Sequence, residues 1–88
     1  MGKVGITVKV LPKDINVDLE RIKEEIVNLK EKLGAESIEI KEIPIAFGLK
    51  ALIVGIIREE SLGTSGIEEE ISKIEGVGEV TIESATLL

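Results

Sequence analysis

Few residues in this chain of 88 could do chemistry. It has no His, Cys, Trp or Tyr. Without His the commonest general base is missing, and without Cys the most reactive side-chain nucleophile is missing too. Carboxylates, hydroxyls, lysines and two arginines remain. The carboxylates run in blocks, Glu24-Glu25, Glu59-Glu60 and Glu68-Glu69-Glu70. These fall on helix exteriors or in a loop and read as solvated faces rather than metal ligands. The five serines, Ser37, Ser61, Ser65, Ser72 and Ser84, fall mostly where caps and turns want them. Leu62-Gly63-Thr64-Ser65-Gly66 has the form of a weak anion cradle at a helix start. It lacks the Lys and the spacing of a phosphate loop, so capping accounts for it better. Arg21, Arg58, Asn16 and Asn28 are the only residues of their types, and no Arg and Asn fall together in one loop to serve phosphoryl hydrolysis. No catalytic group, cofactor or metal site is expected.

The other unusual residue is an aromatic. Phe47 is the only one in the chain, and it stands in Pro44-Ile45-Ala46-Phe47-Gly48-Leu49-Lys50-Ala51-Leu52. Pro fixes φ and removes a backbone donor, while Gly opens backbone conformations closed to other residues. A large ring between them predicts a bend, and rings on bends often serve a partner. The competing reading is a plug that caps one end of the core, and the residues leave the two nearly level.

Composition narrows the classes. The formal charge is -6, from 17 acidic and 11 basic residues. Lys and Arg do not cluster, which disfavours nucleic acid, whose phosphates demand a basic face. An acidic chain suits a basic protein partner or simple solubility. Lys and Glu crowd the polar positions, the pattern of proteins from hot environments. Absence of Cys leaves no disulfides. Met1-Gly2-Lys3-Val4 leads straight into alternating apolar residues, without a signal-peptide core, and no apolar run approaches membrane-spanning length. The expectation is a soluble cytoplasmic protein, with residues 1–88 forming one small domain.

Six elements must position these residues. Residues 3–11 alternate, with Val4, Ile6, Val8 and Val10 in one phase, and Pro12 ends that strand. Leu19, Ile22, Ile26, Leu29 and Leu33 then form one stripe of a helix of about 16 residues. Asp18 or Asn16 caps its start, and Gly34 takes the left-handed cap at its end. Residues 37–45 make a second strand, in which Ile38 and Ile40 share one phase and Ile43 and Ile45 the other. That slip predicts a bulge at Lys41-Glu42. Residues 48–58 are apolar on both faces and read as a central strand, joined to the second through the Pro44–Gly48 hairpin. Ser65-Gly66-Ile67-Glu68 reads as a capping box for a helix with Ile67, Ile71 and Ile74 on one face, ended by Gly76. Val80 and Ile82 open a last strand running through Ala85 to Leu88. The order strand-helix-strand-strand-helix-strand predicts an α+β, ferredoxin-like βαββαβ sandwich: a four-stranded antiparallel sheet with two helices on one face.

Such a sheet leaves one face uncovered. The apolar third strand would there expose Leu52, Val54 or their neighbours, a pattern that usually marks an interface. The alternative is screening by Lys and Glu stems, which Lys9, Glu39 and Lys41 could supply.

The segment Pro44–Leu52 resembles the P-I-(A/G)-(F/Y)-G-(L/I)-K-x-L signature of the translation elongation factor 1-beta family. Val8-Lys9-Val10-Leu11-Pro12, Asp18-Leu19-Glu20 and Ile74-Glu75-Gly76-Val77 also match, and the whole chain is similar to the short archaeal form. The resemblance implies the ferredoxin-like core of a guanine-nucleotide exchange factor. The partner it implies is elongation factor 1-alpha, the GTPase that delivers aminoacyl-tRNA, in its GDP-bound or nucleotide-free state. It implies an aromatic that enters the GTPase, at Phe47 here, with Pro44, Ala46, Gly48 and Lys50 around it and Leu87-Leu88 near the contact. Eukaryotic members push a penultimate Lys toward the Mg²⁺–phosphate site; this sequence has Leu87 there. Two other readings stand beside it: a small-molecule-binding regulatory module of amino-acid-sensing type, which shares the fold, and a plain structural dimer. The first would want a Gly-rich turn after strand one, where this chain has Leu11-Pro12-Lys13-Asp14.

Overall fold

The protein is described by a computed structural model covering residues 2–88. The elements are β1 (Lys3–Pro12), α1 (Leu19–Asn28), β2 (Ala35–Pro44), β3 (Lys50–Glu59), α2 (Ile67–Ser72) and β4 (Val77–Leu87). All pairings are antiparallel, in the order β2-β3-β1-β4. This is the ferredoxin-like α+β arrangement expected from the element order, with both helices on one face.

Alternation in β1 buries Val4, Ile6, Val8 and Val10. Directly across on β3 stand Arg58, Ile56, Val54 and Leu52, and cross-strand neighbours share a face. Ile22 and Ile26 from α1 and Ile67 and Ile71 from α2 complete a core built of Val, Ile and Leu alone. Fully burying each such side chain contributes roughly 1.5–3 kcal/mol. β3 is interior, as its apolar character predicts. Leu52 and Val54 prove fully buried under the helices. The uncovered face instead carries their neighbours Ile53 and Ile57, both half-buried, and Lys9 and Lys41 flank Ile53 from the adjoining strands. Lysine stems therefore flank Ile53, whereas Ile57 stands between Gly5 and Ser37.

Three local expectations change. The first helix ends at Asn28. There the amides of Leu29 and Lys30 donate to Ile26 and Val27, i→i+3 bonds that tighten the last turn. The chain then turns through residues 29–34, which still buries Leu33 and gives Gly34 its left-handed φ of 68°. Asp18, not Asn16, is the cap: its carboxylate accepts from the amides of Glu20 and Arg21. The bulge predicted at Lys41-Glu42 is absent, since β2 pairs there in unbroken register and Ile43 points outward. The irregularity lies earlier, at Glu36, between Ala35 and Ser37. The capping box at Ser65 does not form either. α2 is instead capped by Gly66, with left-handed φ and no side-chain bond.

The loop before α2 is held by Arg58, the one buried charged residue among those described, 3% exposed. Its guanidinium donates to four backbone carbonyls: Leu33 at 2.7 Å, Ser65 at 2.7 Å, Gly63 at 3.0 Å and Leu62 at 3.3 Å. The loop read as a possible anion cradle thus turns carbonyls, not amides, toward a cation. Burial pushes the Arg58 pKa down, yet arginine stays protonated in proteins. Replacing Arg58 by Met would leave these carbonyls without their donor. Unfolding in denaturant should show a loss of about 3 kcal/mol or more, and Arg58→Lys, which cannot fork, should recover only part of it.

Candidate partner-binding site

β2 and β3 run past the last pair that β3 makes with β1 (Val10 with Leu52) and close beyond it as a hairpin. Pro44 faces Lys50 in the last pair, on an edge strand where its missing N–H costs no ladder bond. The Ile45 amide donates to the Leu49 carbonyl at 2.8 Å, and the Leu49 amide to the Ala46 carbonyl at 3.2 Å. Phe47 and Gly48 are the central residues of the turn so closed, and both have positive φ, 60° and 78°. This is the handedness that type I′ turns require, and it matches the twist of the strands they join. Gly48 adopts it freely. Phe47 is the only non-glycine residue with positive φ among those described, in a conformation that costs an L-residue roughly 1–2 kcal/mol.

The ring gains nothing in return from the fold. Phe47 is 95% exposed, which removes the reading of it as a plug on the core. An aromatic held in a strained conformation and left in water is a feature expected of functional sites. Gly48, Leu49 and Lys50 line a cleft between the hairpin and the β1–α1 connection, where Ile15, Val17 and Leu19 form the other side. At its edge Lys23 of α1 pairs with Glu42 of β2, and the Lys50 ammonium lies 3.8 Å from the same carboxylate.

Pro44, Ala46, Phe47, Gly48 and Lys50 therefore come together at one end of the molecule. Leu87 and Leu88 do not join them. Leu87 faces Val4, which faces Arg58, and the eight steps from Lys50 to Arg58 span about 26 Å. The C-terminal leucines, each 69% exposed, lie at the opposite end of a body 42 Å long. The expectation that they sit near Phe47 is corrected by antiparallel topology. Ile15, 64% exposed, lies outside the residues that the sequence singles out. Its one signal is that it is an aliphatic residue between Asp14 and Asn16 that belongs to no strand phase and no helix stripe.

The fold and this end together define a ferredoxin-like α+β module that presents an aromatic tip. Residues 5–88 match the model of the EF-1 guanine nucleotide exchange domain, and the chain belongs to that family. It is 45% identical to an elongation factor 1-beta of Staphylothermus marinus over 96% of this chain and 94% of the relative. It is 42% identical to that of Archaeoglobus fulgidus over the whole of both. To that of Methanothermobacter thermautotrophicus it is 42% identical over 93% of this chain and 92% of the relative. These likenesses favour an exchange domain over an amino-acid-sensing module. Among the described residues no helix is long and apolar enough to cross a membrane.

Two measurements check this geometry. Phe47→Asn keeps a Cβ but suits the left-handed region, and nothing is lost from the core. Its unfolding free energy should rise by about 0.5–1 kcal/mol. The second concerns pH. The hydrogen bond from Lys23 holds the Glu42 carboxyl below the ordinary value of 4.5. A carboxyl lowered in the folded state stabilises fully above its unfolded pKa and loses that contribution as pH falls through the folded one. Melting temperatures of wild type and Glu42→Gln should differ near neutral pH and converge once the pH is well below 4.5.

Proposed function

We propose that this chain is a nucleotide-exchange factor that promotes release of GDP from elongation factor 1-alpha, so that GTP can bind. The observation that carries the proposal is the exposed, strained Phe47 tip on a chain of the EF-1 exchange-domain family. In this reading the action is by contact. A GTPase holds GDP through Mg²⁺, a phosphate loop and switch segments. A partner that binds the nucleotide-free form more tightly must weaken nucleotide binding by the same factor. A rigid apolar tip that enters beside those segments supplies that difference in affinity without any chemical step.

In this reading Phe47 is the anchor, Gly48 and Pro44 shape the turn that presents it, and Ala46 and Lys50 border the contact. Leu87 and Leu88 touch the same GTPase only if it extends along the module's long axis. Residues 1–88 act as one exchange domain in the cytoplasm, free of direct contact with nucleic acid or membrane. The acidic surface speeds encounter with basic patches of the partner.

Release of a fluorescent GDP analogue from elongation factor 1-alpha tests the proposal. The wild-type chain should accelerate it, and Phe47→Ala should retain its melting temperature while slowing exchange at least tenfold, about 1.4 kcal/mol of barrier. Undiminished exchange by a folded Phe47→Ala protein would remove the anchor role.

A further inference from the structure

The cleft beside the hairpin has a second apolar wall. Ile15 stands 64% exposed in the β1–α1 connection. It is held by a local turn in which the Asn16 amide donates to the Asp14 carboxylate at 2.8 Å, and the helix cap at Asp18 follows. Single exposed aliphatic residues are ordinary. Ile15 is not single, because it lines the same cleft of about 350 Å³ as Gly48 and Leu49, the residues that follow Phe47. Two loops from separate parts of the chain thus place large apolar groups at one opening. Four carboxylates, Asp14, Asp18, Glu20 and Glu42, line it against the ammonium of Lys50. Lys23, at the edge, pairs with Glu20 and Glu42, and the opening stays acidic on balance through Asp14 and Asp18.

We propose that Ile15 is a second apolar anchor for the GTPase. The cleft between it and the Phe47 turn receives one GTPase segment that carries an apolar side chain flanked by Lys or Arg. This rests on the exchange-factor reading above. Charge selects the occupant. A second copy of this chain, at net charge -6, would bring acidic surface to acidic surface, and like charges juxtaposed across an interface are penalised. A basic, partly apolar segment satisfies both the rim and the walls. The Phe47 turn and the Asp14–Asn16 bond restrain the backbones of the two loops, which lowers the ordering cost that opposes association.

The test measures the affinity of the full chain for nucleotide-free elongation factor 1-alpha, alongside GDP release. Ile15→Ala should keep the wild-type melting temperature and weaken binding about tenfold. Val27→Ala, an equally simple truncation on the solvent face of α1 (Val27 is 49% exposed), should leave binding unchanged. The pair Asp14→Asn and Glu20→Gln should slow association severalfold at low ionic strength and have no effect at about 1 M salt. If Ile15→Ala binds like Val27→Ala while Phe47→Ala still loses exchange, the second anchor is overturned and the exchange reading stands. If neither substitution matters, both fall. Unchanged association rates in the charge variants would overturn the basic flanks of the segment. A concentration-dependent dimer abolished by Ile15→Ala would make the occupant a second copy and overturn the proposal.

Discussion

Arg58 is the constraint on which the rest of the structure depends. It points to the core side of β3, in one row with Val4 and Ala35, where an apolar residue would continue the pattern of Leu52, Val54 and Ile56. The guanidinium instead gathers carbonyls from two connections: Leu33 after α1, and Leu62, Gly63 and Ser65 before α2. Buried carbonyls must find donors, and one side chain here satisfies four. The inward turn at Leu33 and the loop that leads into α2 are thereby tied to one strand position.

With that end of the sheet tied down, the opposite end is free to be shaped for contact. The hairpin overhangs β1 and carries its one strained residue where no core packing is at stake. Strain and exposure coincide at Phe47, so the energy stored there is supplied by the Val, Ile and Leu core that holds β2 and β3 in register. The same antiparallel register that extends the hairpin sends the C-terminal leucines to the far end. The molecule therefore has two apolar extremities rather than one patch.

Much of this was legible. Period-two alternation in β1, the stripe Leu19–Ile22–Ile26 and the Pro–Gly hairpin each correspond to an element of the fold. Valid local signals can still point the wrong way. The phases of Ile38 and Ile40 against Ile43 predict a bulge, yet β2 keeps its register there and exposes Ile43, 39% open to solvent. Val80 and Ile82 against Ala85 and Leu87 shows the same kind of slip in β4. There a bulge does form, at Glu83, where Thr7 faces Ser84 and Val8 faces Ile82. Both are edge strands, and phase alone does not say whether the backbone or the side chain yields. The exposed tip was half legible. Its oddness was plain, but a ring on a turn can fold onto a core or away from it.

The sequence by itself determined the elements, their order and the composition of the core, because periodicity and turn residues act over a few positions. It also carried the signature by which the family is recognised. Only the tertiary structure decided which groups share space. It set Arg58 among four carbonyls, brought Ile15 to the cleft beside the Phe47 hairpin, and parted Leu87 and Leu88 from it by the length of the sheet. Those placements depend on strand register and on contacts between residues distant in the chain. Local patterns do not encode these, so what began as an unusual ring emerges at the tip of a hairpin beside a cleft walled by Leu49 and Ile15.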